Sequence, residues 1–408
     1  MSIEPGKASK EASSGPLAGV RILDLTTVVM GPYATMILSN LGADIIKLEP
    51  PTGDIMRYVG PMKNPQMGHS FLNANHGKRS IVLDLKRAKA RAAALELARS
   101  ADVFVHNIRP DALNRLGLGY ETVADVNPKI IYAAAIGFGT GGRYSGKPAY
   151  DDLIQGIVGL PSLMTEASGD IPRYLPTPIA DRSVGLYLVG MISSALYARE
   201  VSGEGQSIEV PMFEVLSQYV LGDHMAGLSY EPAQGGPHYT RLISQDRRPY
   251  KTKDGYICAL IYNDAHWKAF FRIIGEPNKF HEDERFSSQT ARSANIDDVY
   301  AFVSPILEKK ATSEWLEIFA QHDIPAMPLN TILSLLEDPH LEDVGFFECR
   351  EHPTEGRLRM MTPPENWSET PSEIQGFAPN LGEHSREILA EIGMSAEAID
   401  LALATNHS

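Results

Sequence analysis

The sequence predicts a doubly wound α/β domain joined to a second, smaller α/β domain. Three observations predict it. Short β-branched runs alternate with helical periods from Val20 onward, which is the signature of βαβ units and a parallel sheet. The 408 residues exceed what one core accommodates, at about 150 residues per domain. Finally, residues 229–250 turn rich in Pro, Gly and polar groups before a fresh strand-and-helix pair begins, which marks a boundary or crossover.

The elements follow in order. GVRILDL (19–25) reads as a strand, GPYATMILSNLG (31–42) as a helix and ADIIKLEP (43–50) as the next strand. Pro32 falls in the first helical turn, where a missing N–H costs nothing. RSIVLDL (79–85) is a strand, 87–101 a helix, ADVFVHN (101–107) a strand, DALNRLGL (111–118) a short helix and KIIYAAAIGFG (129–139) another strand. An uncharged helix covers 183–198; GEGQ then turns the chain into the strand SIEV (207–210) and an amphipathic helix. Beyond the boundary, DGYICALIY and HWKAFFRIIG open the smaller domain, and HPTEGRLRMMTPP near the end reads as a hairpin. No internal repeat is visible.

Composition excludes several classes. A net charge of -14 opposes nucleic acid as the main partner, since such proteins present a basic face to phosphates. Cys258 and Cys349 stand far apart without a CxxC partner, so neither a disulfide framework nor a cysteine zinc site is expected, and a reducing, cytoplasmic location fits. Residues 1–16 lack the apolar stretch of a secretory signal and read as a disordered lead. The 183–198 helix is shorter than the roughly 20 residues a membrane span needs. No membrane partner is expected.

A Rossmann-like nicotinamide domain would carry G-x-G-x-x-G after its first strand. Here that strand runs into TTVVMGP, and GFGTGG (137–142) follows a late strand instead, which disfavours hydride transfer. No HExxH or HxH pattern occurs among the twelve histidines, and no G-x-S-x-G elbow is present, so metal and serine-hydrolase chemistry are not expected.

Basic residues offer a different reading. Arg109 and Arg115 flank the short helix after a strand ending in His106 and Asn107, and Lys78 and Arg79 precede another strand. Open α/β sheets bind ligands at the carboxyl ends of their strands, where arginine and helix N-terminal amides suit a phosphate-rich molecule. Taken singly, each could equally be a solvated surface charge. Asp181 closes the extended, proline-broken stretch LPTPIAD (175–181) before the long helix. It suits a helix N-cap as readily as a nucleophile.

In combination these segments form a pattern. LAGVRILDLTTVVMGPYATMILSNLGADIIKLEPPTGD, FLNANHGKRSIVLDLK, ADVFVHNIRPDALNRLGLGYE, KPAYDDLIQGIVGL, ADRSVGLYLVGMISSALYARE and GEGQSIEVPMFE together strongly resemble the family III CoA-transferases, which include formyl-CoA transferase, carnitine CoA-transferases and related acyl-CoA racemases. The likeness extends over nearly the whole chain. It implies a doubly wound, Rossmann-like large domain in residues 17–228, a small domain with crossover linker in 229–330, and a segment, 331–408, that returns to the large domain. It also implies an interlocked homodimer of threaded subunits.

The resemblance assigns the catalytic aspartate to Asp181. Contacts to coenzyme A fall on Val28, Lys78, Asn107, Ile108, Ala112, Arg115, Ile136 and Gly137, with Arg109 added. The implied reaction moves coenzyme A from an acyl-CoA to a free carboxylic acid through aspartyl anhydride and aspartyl-CoA thioester intermediates, with no resident cofactor. Proton transfer at the α-carbon, as in the racemases, is the alternative. It is disfavoured because the racemase segment GHD is Ala149, Tyr150 and Asp151 here, which removes one of two acid–base groups. Val29 replaces the glutamine of formyl-CoA transferase, Pro50 a coenzyme-contacting arginine, and 243–250 (ISQDRRPY) a glycine-rich lid. The oxalate specificity therefore does not carry over.

Overall fold

The computed structural model describes residues 14–404; residues 1–13 of the expected lead lie outside them. The chain forms two compact units. The larger comprises the chain through Ile154, Thr177–Leu216 and everything from His340; the smaller comprises Gln155–Pro176 and Ser217–Pro339.

A six-stranded parallel sheet builds the larger unit. Its strands are β1 (Arg21–Leu25), β2 (Asp44–Glu49), β3 (Lys78–Val82), β4 (Val103–His106), β5 (Ile131–Ile136) and β6 (Gln206–Pro211), in the order 3-2-1-4-5-6. The helices between them are α1 (Met30–Asn40), α2 (His69–Asn75), α3 (Ala88–Arg99), α4 (Pro110–Leu116), α5 (Tyr120–Val126), α6 (Asp151–Ile157), α7 (Leu160–Ser168) and α8 (Ile179–Ser202). The sequence reading assigned no element to α2, α5, α6 or α7, all of them short.

Strand residues alternate between faces. Leu23, Leu25, Ile46, Leu48, Ile81 and Phe104 pack with Ala90, Ala94 and Leu97 of α3. On the opposite face, under α1, the sheet carries charge. Asp24 and Lys47 are register partners on β1 and β2, both fully buried. Asp24 accepts hydrogen bonds from the Thr26 N–H (2.8 Å), the Thr35 hydroxyl (2.6 Å) and the Lys78 ammonium (3.2 Å). Lys47 donates to the Thr26 carbonyl (2.9 Å) and to Asp54 (3.0 Å). Beside them Arg57 and Glu49 form a further buried pair at 2.7 Å.

The long helix differs from expectation. α8 spans 24 residues, beginning four residues before 183 and continuing past Arg199 and Glu200. Its charged end turns lie inside the helix instead of bounding it, so the length argument against a membrane span does not hold. The helix packs on α1 instead. At Gly185 an added Cβ would lie 2.8 Å from the Met30 carbonyl oxygen, so only glycine permits this approach. Near the C-terminus, β10 (Phe347–His352) and β11 (Gly356–Met361) form the antiparallel hairpin.

The smaller unit holds an antiparallel sheet of β7 (Tyr250–Lys251), β8 (Tyr256–Ala259) and β9 (Ala326–Pro328). Its aromatic core joins Trp267, Phe270 and Phe271 with Phe286, Trp315 and Phe319.

Removing one member of a buried ion network leaves its partners uncompensated. Asp24→Ala is therefore expected to destabilise the larger unit by about 3–5 kcal/mol, read as a lower midpoint in urea unfolding. An unchanged midpoint would mean that the network contributes nothing.

Candidate active site

A cavity of about 240 Å³ opens at the carboxyl ends of β1, β4 and β5. β1 and β4 leave the middle of the sheet in opposite directions, and such a switch point is where parallel sheets leave a crevice. Thr27, Val28 and Met30 contribute from the first turn and α1, Asn107 and Arg109 from the end of β4, and Ile136 and Gly137 from the end of β5. Asp181 lines it from the first turn of α8.

The first turn is strained. Val28 has φ +74°, a left-handed conformation that a β-branched residue adopts at a cost of about 1–3 kcal/mol. Three contacts hold it. The Val28 N–H donates to Asp54 at 3.2 Å. The Asn107 side chain grips Thr27 twice, accepting from its N–H at 3.0 Å and donating to its carbonyl at 2.8 Å. Asn107 thus acts first as a clamp on the turn. Loss of a Cβ is equally required at Gly137, where one would stand 2.1 Å from the Ala149 Cβ.

Asp181 is not the N-cap of its helix. Pro178 occupies that position and offers no side-chain acceptor. The Asp181 N–H is taken instead by the Asp151 carboxylate from α6, at 3.0 Å. Burial, with the charge of Asp151 second and against the pull of Arg182, raises the Asp181 carboxyl from 3.8 to about 7. The dipole of a helix start favours the ionised form; desolvation outweighs it here. Arg182 itself is stacked 4.3 Å over the Tyr33 ring.

The structure brings Val28, Asn107, Arg109, Ile136, Gly137 and Asp181 together around one cavity. Four other residues named from sequence do not line it. Lys78 is turned into the protein, its buried ammonium donating to Asp24, the Pro32 carbonyl, Thr35 and Asn75. Burial draws that ammonium down to about 7 despite Asp24. Ile108 packs against the sheet core, while Ala112 and the exposed Arg115 sit further along α4. Sequence reasoning passed over Lys147 and took Tyr150 only as a missing histidine, yet both line the cavity from the loop after β5. Arg109 and Lys147 are its cationic rim, suited to an anionic ligand. Among the described residues no cluster of His, Cys, Asp or Glu is placed to hold a metal ion.

Comparison with known proteins bears on the chemistry. The model of CoA-transferase family III matches residues 17–385. The chain is 32% identical to a succinate–glutarate CoA-transferase of Agrobacterium fabrum, covering 92% of this chain and 96% of that one. It is also 32% identical to a formyl-CoA:oxalate CoA-transferase of Rhodopseudomonas palustris, covering 92% and 93%. A CAIB/BAIF family protein from Brucella suis superposes with a TM-score of 0.77 at 28% identity, over 93% of this chain and all of that one.

The raised pKa makes a stability prediction. Folding favours the protonated Asp181, so its penalty is absent below about pH 4, grows between 4 and 7, and is complete above 7. Asp181→Asn lacks it. The variant is expected to be more stable than the parent at pH 8, by on the order of a few kcal/mol, with the gain shrinking at pH 5. Thermal melts at the two pH values check this; a variant less stable at pH 8 would contradict it.

Proposed function

The chain belongs to CoA-transferase family III and is an acyl-CoA:carboxylate CoA-transferase, and from that premise we propose that Asp181 is its covalent nucleophile. The observation that carries the proposal is a desolvated carboxylate, poised near neutral pKa, in a cavity at the switch point of the sheet. Perturbed groups of this kind mark functional sites.

In the proposed cycle the Asp181 carboxylate attacks the thioester carbonyl of the donor. The C–S bond breaks, coenzyme A leaves as thiolate, and an aspartyl–acyl anhydride remains. The thiolate attacks the Asp181 carbonyl, giving an aspartyl-CoA thioester and the free donor acid. The acceptor carboxylate then displaces the thiolate to form a second anhydride. Attack of the thiolate on the acceptor's carbonyl releases the new acyl-CoA and restores Asp181. Both covalent states of Asp181 are neutral. They escape the burial and the Asp151 repulsion that raise its pKa, which favours their formation by on the order of a few kcal/mol. Coenzyme A is a substrate in this cycle, its phosphates drawn to the rim formed by Arg109 and Lys147.

The same reading includes the Rossmann-like character of the larger unit, whose strand order is that of dinucleotide-type sheets, and a reducing, cytoplasmic setting, which suits two free thiols. An interlocked homodimer belongs to it as well. In its support, α8 leaves Leu186, Tyr197 and Val201 exposed, the last two by 74% and 72%, an apolar stripe that a partner subunit would cover.

A near-neutral carboxyl would also serve α-proton abstraction. Among the described residues no histidine lines this cavity, and the exposed Tyr150 stands where the resembling racemases carry one.

Two measurements test the mechanism. Incubation with an acyl-CoA and hydroxylamine should leave a hydroxamate on the peptide containing Asp181, and none in Asp181→Asn. Turnover should fall about tenfold per pH unit below about 7 and vanish in the variant. A variant with unchanged rate, or deuterium exchange at the α-carbon without any adduct, would remove Asp181 from the nucleophile's role.

A further inference from the structure

A second cavity, of about 410 Å³, lies wholly within the smaller unit, beside β7, β8 and β9. Among the described residues three arginines line it, Arg241, Arg247 and Arg248, and no carboxylate does. In a chain of net charge -14 such a lining is unusual. Arg248 is neutralised by Asp246 at 3.1 Å. Arg241 has only a distant ring partner, Tyr262 at 5.7 Å, and neither it nor Arg247 has an ion pair among the described residues. The rest of the wall is apolar or phenolic, with Leu260 and Met327 exposed and Tyr250 and Tyr300 buried. Burial pushes the Tyr250 phenol up, so it stays a hydrogen-bond donor at ordinary pH.

Unpaired guanidinium groups converging on a concave surface bind oxyanions, and their planar forks match carboxylates two bonds at a time. Two such groups answer two negative charges. The apolar wall answers something else, a short hydrocarbon body between the charges, which inorganic phosphate lacks.

We propose that this cavity binds a small dicarboxylic acid, its carboxylates on Arg241 and Arg247 and its methylenes against Leu260 and Met327. That the acid is a transfer substrate rests on the reading above; that it binds does not.

Cys258 lines the same cavity and is exposed, whereas Cys349 is an exposed thiol in the larger unit. The pair provides a reporter with an internal control. The full-length protein would be alkylated with iodoacetamide at constant ionic strength and the two cysteine peptides followed by mass spectrometry. Saturating glutarate should slow modification of Cys258 at least fivefold and leave Cys349 unchanged. Butyrate, lacking one charge-assisted pair, should need about tenfold more for equal protection, and phosphate should protect less than glutarate. Protection should disappear in Arg241→Gln/Arg247→Gln. Arg247→Gln alone, altering an exposed and unpaired side chain, should weaken it without changing the melting temperature. The Asp181→Asn protein should be protected like the parent, which separates this proposal from the catalytic one. Equal protection by butyrate or phosphate, survival of protection in the double variant, or no protection by glutarate would each overturn the assignment.

Discussion

The buried ion network beneath α1 is the constraint on which the catalytic cavity depends. Asp24 and Lys47 face each other across β1 and β2, and together they fix Thr26 from both sides, one through its N–H and the other through its carbonyl. Lys47 also holds Asp54, whose second oxygen accepts from Val28. A chain of charges thus ends on the one backbone position in the turn that could not hold its conformation alone. Buried ion networks contribute little net stability against apolar alternatives. Here the network has a local task, which is to hold a left-handed valine at the mouth of the cavity.

The same economy governs the anions. A chain with an excess of negative charge attracts an acyl-CoA only locally, and its cationic groups are distributed accordingly. Lys47 and Lys78 are consumed inside the fold. Arg109 and Lys147 remain at the rim of the cavity. The floor holds a carboxylate that is costly to ionise. An uncompensated Asp181 is a liability to the folded state, and a group selected for stability alone would be neutral. Its retention fits the common exchange of stability for reactivity at catalytic positions.

Much of the larger unit was legible in the sequence because its strands, the edge strand β6 excepted, are short runs largely buried on both faces, the pattern a parallel sheet imposes. The assignment of Asn107, Ile136 and Gly137 to the site came from the family resemblance, and the fold places them where that sheet opens, at or just beyond the ends of strands. The remainder had no local signal. Asp54 acts on Val28 across 26 positions of sequence, and Lys147 sits in an aperiodic loop. Lys78 looked like a ligand-binding cation because sequence shows charge but not depth; its ammonium is enclosed by four partners. The charged residues at both ends of α8 hid a third of the helix, since a pattern reading takes Asp181–Arg182 and Arg199–Glu200 for boundaries.

That misplaced boundary also explains why two readings of Asp181 competed. A capping aspartate turns its carboxylate back onto the first-turn N–H groups, and a carboxylate so engaged is stabilised as an anion and poorly disposed to attack. In the structure Asp181 sits inside the turn, and Asp151 comes from a separate helix to take its N–H. The capping task is thereby moved to another residue. Asp181 is left with a free carboxylate, and the negative charge that accomplishes this raises its pKa further. One substitution of roles, a cap supplied from α6, accounts for both the availability of the nucleophile and part of its basicity.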